Sequence, residues 1–256
     1  MSSGQFDLVA HVCDAIAVLC EGEIIQSDRP RENILLYRQP IGVVVGICPW
    51  NFPFFVMARK VAPSLLVGCT AVIKPSSVAP ATTMEFARLV AQEVDLPAGV
   101  LNIITGGGGS MGEALASSPQ ADMVSLTGSV EAGQRIIAAS AENVTKVSLE
   151  LGGKAPAIVC QDADLDLAVR AVTASRTIFS GQVCNCAERL YVHESIADQF
   201  AEKLAVAFNN VRLGNPFDDP APDMCSQISA EHLAKIDGMV KRAKAEGAEV
   251  VTGGVP

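Results

Sequence analysis

The segment Gly42-Val-Val-Val-Gly-Ile-Cys-Pro-Trp-Asn-Phe-Pro53 contains the pattern that decides the fold. Its first seven residues form a continuous apolar run, which is typical of a short β-strand buried on both faces. A helical pattern over Pro53–Gly68 and a second strand over Cys69–Lys74 follow directly. A strand, a helix and a strand joined by short connections predict a parallel βαβ unit.

The alternation of strands and helices continues as far as residue 151. The further predicted strands are Gly99–Thr105, Met123–Thr127 and Val144–Leu151, and the further predicted helices are Pro80–Asp95, Ser110–Ser117 and Val130–Glu142. Parallel strands that alternate with helices form a sheet covered by helices on both faces. The sequence therefore predicts the α/β class, with a nucleotide-domain pattern over residues 41–152.

The segments on either side do not follow this rhythm. Residues 6–20 read as one amphipathic helix, and two short strands, Ile24–Ser27 and Asn33–Arg38, suggest a protruding hairpin. A second unit begins after the Gly152-Gly153 pair. Its predicted elements are the strands Ala157–Cys160 and Arg189–Val192, the helices Leu165–Phe179, 195–210 and 229–246, and a strand that enters a turn at 249–256.

Composition and charge exclude several classes of protein. The chain has 256 residues, of which 49% are hydrophobic and 18% are charged, so it has ample apolar material for a core and is not intrinsically disordered. Its formal net charge of -9 repels phosphate, so we expect neither nucleic acid nor an anionic membrane as a partner. No apolar run reaches the roughly 18 residues that span a bilayer, and the first residues lack the features of a signal peptide.

The eight cysteines indicate a reducing compartment rather than a disulfide framework, because they are scattered along the chain. We therefore expect a cytoplasmic location. The one close pair is Cys184-Asn185-Cys186, and neither a second pair nor a nearby histidine pair completes a zinc site. We expect no metal.

Two segments have the composition of phosphate-binding loops. Gly107-Gly-Gly-Ser-Met-Gly112 matches G-x-G-x-x-G between a strand and a helix, although a glycine run matches that pattern easily and a flexible turn is the alternative. Thr127-Gly128-Ser129 ends a predicted strand and opens a helix, where backbone N–H groups can bind a pyrophosphate. The alternative is that Ser129 is an ordinary N-cap for the helix that begins at Val130.

Three side chains outside these loops are candidates for chemistry. Cys184 lies in a polar loop, where a thiol can ionise and attack a carbonyl, although a lone cysteine is more often a small hydrophobe. Glu150 interrupts an apolar strand and can act as a base if it is partly desolvated; its alternative is a salt bridge to Lys154. Asn51 lies beside Trp50 in a rigid loop and can direct its amide toward an oxyanion, or be a turn residue. No histidine lies near Cys184 in the sequence, so a Cys–His hydrolase has no support.

Five segments taken together resemble the aldehyde dehydrogenase superfamily in their order and approximate spacing. They are Pro49-Trp-Asn-Phe-Pro53, Lys74-Pro-Ser, Leu126-Thr-Gly-Ser129, Leu149-Glu-Leu-Gly-Gly-Lys154 and Gly181-Gln-Val-Cys184. The resemblance covers essentially the whole chain. Within the superfamily, Glu21-Gly-Glu-Ile-Ile-Gln-Ser-Asp-Arg-Pro30 and Ser180-Gly-Gln-Val-Cys-Asn-Cys-Ala-Glu-Arg189 are most similar to the bacterial lactaldehyde and glycolaldehyde dehydrogenases.

The resemblance implies oxidation of a small aldehyde, such as lactaldehyde or glycolaldehyde, to the acid. Cys184 would form a thiohemiacetal, with the Asn51 amide and the Cys184 N–H on the oxyanion. Hydride transfer to NAD or NADP would leave a thioester, and Glu150 would activate the water that hydrolyses it. The implied cofactor-binding residues are Trp50, Lys74, Ser77, Gly107, Gly128, Ser129 and Gly152, with Lys74 on the adenosine ribose and Ser129 on the pyrophosphate.

The resemblance also implies a domain plan. Residues 1–22 would be the N-terminal helix of the cofactor domain, 23–40 an oligomerisation hairpin, 41–152 a Rossmann-like NAD(P)-binding domain and 153–256 part of a second α/β catalytic domain. When full length, the protein would be a homo-oligomer, either a dimer or a tetramer.

Two departures from the family pattern bear on function. Ser77 lies in the segment where NAD-preferring relatives often carry a glutamate, and the loss of that carboxylate favours dual or NADP use. The chain is also about half the family's length, so we expect it alone to be poorly soluble and inactive. The alternatives are a catalytically silent nucleotide-binding fragment or a semialdehyde dehydrogenase of the same superfamily. The intact Glu150 disfavours an acyl-CoA-forming relative.

Overall fold

The computed structural model describes residues 23–26, 34–36 and 38–255. The chain divides into two compact units, one ending at Gly152 and the other beginning at Gly153. The predicted helix over 6–20 and the segment 1–22 lie outside the described residues. The roles assigned to the four predicted segments stay predictions.

The first unit contains a five-stranded parallel sheet, which confirms the predicted α/β class. Its strands are β3 (Val43–Ile47), β4 (Thr70–Lys74), β5 (Leu101–Ile103), β6 (Met123–Gly128) and β7 (Lys146–Leu151), in the order β5-β4-β3-β6-β7. The chain runs outward from β3 through β4 to β5, then returns to the other side of β3 to form β6. Such a reversal leaves a crevice at the carboxyl ends of β3 and β6, where open α/β sheets bind ligands.

Helices cover both faces of this sheet. They are α1 (Pro53–Leu66), α2 (Ala81–Glu93), α3 (Glu113–Ala116) and α4 (Val130–Ser140). Because alternate strand residues face opposite sides, Val45 and Ile47 pack with Ile136 of α4, whereas Ile73 packs with Met57 of α1.

Gly46 is required in the centre of β3 because the face beneath α1 is crowded. A Cβ at this position would lie 2.5 Å from Ile73 Cδ1 and 3.2 Å from Lys60 Cδ. The absence of a side chain therefore lets α1 approach the sheet closely. Pro53 begins α1, where its missing N–H costs no hydrogen bond.

Before this sheet, β1 (Glu23–Gln26) and β2 (Ile34–Leu36) pair in antiparallel fashion. Short strands are thus present where the sequence predicts them. The participation of this hairpin in oligomerisation stays a prediction.

The second unit is built on two parallel strands, β8 (Ala155–Val159) and β9 (Ala187–Val192). Its helices are α5 (Leu165–Thr177), α6 (Ala197–Asn209) and α7 (Ala230–Ala245). The core is formed by apolar side chains of β8, α5 and α6, namely Val159, Val169, Val172, Phe200 and Leu204.

Two local expectations in this unit are wrong. The helix predicted to reach Phe179 ends at Thr177, because Phe179 has a positive φ of 47° that an α-helix does not allow. The strand predicted at 249–256 is absent over 249–255. A strand needs a partner for its backbone groups, and here Gly254 O instead accepts a hydrogen bond from Lys244 Nζ at 2.9 Å.

We expect Ile73→Ala to lower the free energy of unfolding of the first unit by about 2–5 kcal/mol, because Ile73 is fully buried and its loss leaves a cavity. Urea unfolding followed by the fluorescence of Trp50, the single tryptophan, measures this change. Ile137→Ala on α4, where the side chain is 50% exposed, is the control and should change stability by about 0.5 kcal/mol or less. Equal losses in the two variants would contradict the assigned core.

Candidate active site

The carboxyl edge of the first sheet brings together most of the cofactor residues predicted from the sequence. Trp50 follows β3, Ser77 follows β4, and Ser129 follows β6. The strand register places Ile47 opposite Lys74, and Thr127 opposite Glu150. Because parallel strands end at one edge, residues far apart in sequence converge there.

Ser129 is the N-cap of α4. Its Oγ accepts a hydrogen bond from the Ala132 N–H at 3.1 Å, so the N-cap alternative is correct as a description of the structure. A cap and an anion site are compatible, since the first turn of a helix has more N–H groups than one side chain can pair. Binding of pyrophosphate at Ser129 and at the neighbouring Gly128 stays a prediction.

The glycine run at Gly107 has a different geometry. Gly108–Gly112 forms a π-helical turn, and the α-helix that follows has only four residues, Glu113–Ala116. Arg135 of α4 pairs with Glu113, and a Cβ on Gly109 would lie 3.1 Å from its guanidinium. The run is therefore a turn packed against an ion pair, and a helix this short offers little dipole to an anion.

Lys74, at the end of β4, is only 3% exposed. Its Nζ donates a hydrogen bond to Pro75 O at 3.1 Å, and burial lowers its pKa. A lysine held beneath the loop that follows its own strand is a fixed donor at the carboxyl edge. Ser77, three residues further on, is exposed in that loop.

Lys60 is a candidate that the sequence analysis misses. It lies on α1, is 7% exposed, and its Nζ donates a hydrogen bond to Ser125 Oγ at 2.8 Å. Burial lowers its pKa to about 8, although the charges of Cys48 and Glu150 act in the opposite direction. The available signal was a lysine on the apolar stripe that includes Met57.

Asn51 and Trp50 lie partly buried between β3 and α1. Asn51 Oδ1 accepts a hydrogen bond from the Phe52 N–H at 3.1 Å, which restrains the plane of the amide. This contact is a feature of a turn asparagine, and it also holds the amide in a fixed orientation at the carboxyl edge. A fixed amide is the kind of donor that an oxyanion requires.

Glu150 is exposed on β7, an edge strand of the sheet, so it is not desolvated. The salt bridge to Lys154 considered from the sequence is replaced by another pair, because Lys154 Nζ binds Glu188 within the second unit. Gly152 follows β7 and has no heavy atom within 4 Å of a Cβ position, so space is open beside it. The role of Glu150 as a base stays a prediction.

The two cysteines of the second unit's Cys-x-Cys segment have opposite environments. Cys184 is exposed, whereas Cys186 is 2% exposed. Cys186 Sγ accepts a hydrogen bond from Arg176 Nη1 at 2.9 Å and donates to Gly181 O at 3.3 Å. Only the Cys184 thiol of this pair is therefore open to a reagent in solution.

The loop that precedes Cys184 has an unusual backbone. Phe179, Ser180 and Gly181 all have positive φ, at 47°, 57° and 74°. Ser180 Oγ donates to Cys225 O at 2.7 Å and accepts from the Cys225 N–H at 3.2 Å. Strained backbone persists only where its surroundings hold it, and it is concentrated at functional sites.

Across the described parts of the chain, no group of three or more Cys, His, Asp or Glu side chains has the arrangement of a metal site. None of the helices that the structure describes combines the length and the apolar character needed to cross a bilayer.

Comparison with known proteins identifies what the chain resembles. A family model described as aldehyde dehydrogenase family matches residues 3–256. The chain is 55% identical over 234 residues to lactaldehyde dehydrogenase of Escherichia coli (strain K12), covering 91% of this chain and 49% of that protein. It is 41% identical over 233 residues to succinate-semialdehyde dehydrogenase [NADP(+)] of the same organism, covering 91% and 48%.

Solved structures agree with these relatives. The crystal structure of lactaldehyde dehydrogenase from Escherichia coli matches with a TM-score of 0.91 at 52% identity, over 98% of this chain and 53% of that chain. Betaine aldehyde dehydrogenase from Staphylococcus aureus in complex with NAD+ matches with a TM-score of 0.90 at 39% identity, over 98% and 50%. The chain spans about half the length of the curated relatives it matches.

We expect the stability of the first unit to rise between about pH 8 and pH 10.5 because of Lys60. In that window the unfolded chain retains a proton on Lys60 that the folded chain has lost. Each pKa unit corresponds to about 1.4 kcal/mol, so the full effect is on the order of 3 kcal/mol. Lys60→Met should remove this rise.

Urea unfolding of both proteins from pH 7 to 10.5, followed by Trp50 fluorescence, measures the difference. Cys48, whose pKa burial raises to about 11, contributes with the opposite sign in both proteins and is removed by the comparison. Lys146→Met, on the exposed part of β7, is the control and should keep the wild-type dependence. Identical pH dependences for wild type and Lys60→Met would contradict the assignment.

Proposed function

This chain belongs to the aldehyde dehydrogenase family, and on that basis we propose that it oxidises a small hydroxyaldehyde, such as lactaldehyde or glycolaldehyde, to the carboxylic acid with NAD or NADP. The observation that carries the proposal is the exposed thiol of Cys184 in a held loop, beside a buried Cys186 that has partners of its own. The 55% identity to a lactaldehyde dehydrogenase supports the substrate class.

Cys184 is the proposed nucleophile, and each further step uses a different kind of group. Its sulfur attacks the aldehyde carbon to form a thiohemiacetal, and the carbonyl oxygen becomes an oxyanion. The Asn51 amide and the Cys184 N–H donate hydrogen bonds to that oxygen. When the thiohemiacetal has become a thioester, Glu150 removes a proton from the water that hydrolyses it, and the acid leaves with the thiol restored.

The carboxyl edge of the first sheet fits a dinucleotide. The N-terminus of α4 at Ser129, beside Gly128, suits the pyrophosphate, and the buried Lys74 suits a ribose hydroxyl. Trp50, Ser77, Gly107 and Gly152 complete the proposed contacts. The nicotinamide, when bound, accepts the hydride.

Two features of the whole protein belong to the same proposal. We propose that it is a homo-oligomer, a dimer or a tetramer, in which the β1–β2 hairpin participates. We propose that it works in the cytoplasm, where a reducing environment keeps a nucleophilic thiol active. Free thiols at Cys48, Cys69, Cys160, Cys184, Cys186 and Cys225 are consistent with that compartment.

A semialdehyde dehydrogenase is the second candidate. It is supported by the 41% identity to a succinate-semialdehyde dehydrogenase, which shares most of the chain. A substrate panel of lactaldehyde, glycolaldehyde and succinate semialdehyde separates the two, because a semialdehyde carries a carboxylate where a hydroxyaldehyde carries a hydroxyl. A catalytically silent nucleotide-binding chain would bind the cofactor without oxidising any member of the panel.

We expect Cys184→Ser to lower kcat/KM for the aldehyde on the order of 1,000-fold or more, because a neutral hydroxyl is a far weaker nucleophile than a thiolate. The measurement is nicotinamide reduction at 340 nm by a version of the protein extended to the length of its relatives. Cys160→Ser, which removes another exposed thiol of the second unit, should leave the rate unchanged. Substantial turnover in Cys184→Ser would move the nucleophile elsewhere, with Cys186 the first residue to test.

We expect Ser77→Glu to raise KM for NADP about tenfold and to leave KM for NAD nearly unchanged, because the new carboxylate repels a 2′-phosphate. Steady-state assays with both cofactors measure the ratio. Ser117→Glu is the matched control: Ser117 is exposed and precedes β6, at the opposite edge of the sheet. Strict use of NAD by the wild type would reject dual or NADP-leaning use.

A further inference from the structure

A cluster of charged side chains in the second unit contacts the Cys184 loop but takes no part in the chemistry proposed above. It consists of Lys154, Arg176 and Glu188, together with the thiol of Cys186, and is called here the arginine cluster. Arg176 Nη1 donates hydrogen bonds to Cys186 Sγ at 2.9 Å and to Glu188 Oε1 at 3.0 Å. Lys154 Nζ binds the second carboxylate oxygen of Glu188.

Arg176 reaches the Cys184 loop at two points, one on each side of the nucleophile. At the near end a Cβ on Gly181 would lie 3.0 Å from Arg176 Cζ, so the guanidinium packs directly on the glycine backbone. At the far end Arg176 holds the sulfur of Cys186, which itself donates to Gly181 O at 3.3 Å. The guanidinium and the thiol therefore close the segment 181–186 into a compact loop, with Cys184 on its outer side.

The cluster also reaches the strand that begins the second unit. The Lys154 carbonyl accepts a hydrogen bond from Arg189 Nε at 2.8 Å, and a Cβ on Gly153 would lie 3.8 Å from Cys184 O. The start of β9 is joined to α5 by a bond from the Ala187 N–H to Ser175 Oγ at 3.0 Å. Arg176, next to Ser175, thus holds the loop to elements that are themselves fixed.

Electrostatics favours this arrangement over a simple surface ion pair. The Glu188 side chain is only 18% exposed. Burial alone raises the pKa of Glu188, but hydrogen bonds from Lys154 and Arg176 outweigh burial and hold it below its ordinary value. A carboxylate that stays ionised in a partly buried site depends on its cations, and removal of one leaves a poorly compensated charge.

We propose that Arg176 is a positioning residue for Cys184: by holding Glu188, the Cys186 thiol and the Gly181 backbone together, it keeps Cys186 buried and Cys184 exposed in the orientation needed for attack. The proposal rests on the function proposed above, in which Cys184 is the nucleophile. Arg176 itself need touch neither the aldehyde nor the cofactor.

Thiol alkylation tests this without requiring turnover. The chain of 256 residues is treated with iodoacetamide, and mass spectrometry measures the alkylation rates of Cys184 and Cys186 from fragment ions on either side of Asn185. In the wild type we expect Cys184 to react at least about tenfold faster than Cys186, because access controls thiol reactivity. In Arg176→Met we expect this preference to fall at least about fivefold, since Cys186 loses its donor and the loop loosens.

Three further variants keep the result interpretable. Arg170→Met, an exposed arginine on the same helix, is the matched control and should preserve the wild-type preference. Arg176→Lys keeps the charge beside Glu188 and should restore part of the preference. Glu188→Gln retains the shape of the partner and should shift the preference in the same direction as Arg176→Met, so the proposal stays testable if Arg176→Met fails to fold. An unchanged preference in folded Arg176→Met, or in Glu188→Gln if Arg176→Met does not fold, would overturn the proposal.

A kinetic measurement separates positioning from loss of fold and from failure of the proposed function. In the version extended to the length of its relatives, Arg176→Met should lower kcat about tenfold or more with KM for the cofactor unchanged, because misplacement of a reacting atom affects the chemical step. Parallel rises in KM for aldehyde and cofactor with unchanged kcat would contradict positioning. If Cys184→Ser remains active while Arg176→Met still alters alkylation, the proposed nucleophile is wrong and the effect of Arg176 on the loop stands.

Discussion

The parallel direction of five strands is the constraint on which the first unit depends. Each strand of β3 to β7 delivers its carboxyl end to the same edge, and the reversal between β5 and β6 opens that edge beside β3. Trp50, Lys74 and Ser129 belong to different connections, and no local feature of the sequence holds them together. They converge because a β-strand followed by a helix returns the chain in the same direction for every strand.

Two lysines show how the sheet supports charge at this edge. Lys60 and Lys74 are both more than 90% buried, in a unit whose core is otherwise apolar. Burying an ammonium group costs free energy, and in both cases burial lowers the lysine pKa. Neither residue therefore contributes stability by its burial. Lys60 retains one hydrogen bond, to Ser125, and Lys74 one to Pro75, which are small compensations for desolvation.

The second unit solves a different problem, which is to expose one thiol and bury its neighbour two residues away. Consecutive residues with positive φ at Phe179, Ser180 and Gly181 turn the chain sharply after α5. The bonds between Ser180 and Cys225 hold one side of this turn, and the arginine cluster holds the other. Such a loop is costly for the backbone, so both sets of contacts are needed to keep it in one conformation.

The sequence by itself determined the α/β class, the order of strands and helices and the family, because these follow from short-range periodicity and from motifs of adjacent residues. It also placed Cys184 in a loop and offered a cap at Ser129. Tertiary structure alone decided that Lys60 is buried, that Lys154 pairs with Glu188 rather than Glu150, that α5 stops at Thr177 and that residues 249–255 form no strand. These outcomes depend on which distant groups come into contact, and a pattern of neighbouring residues contains no information about that contact.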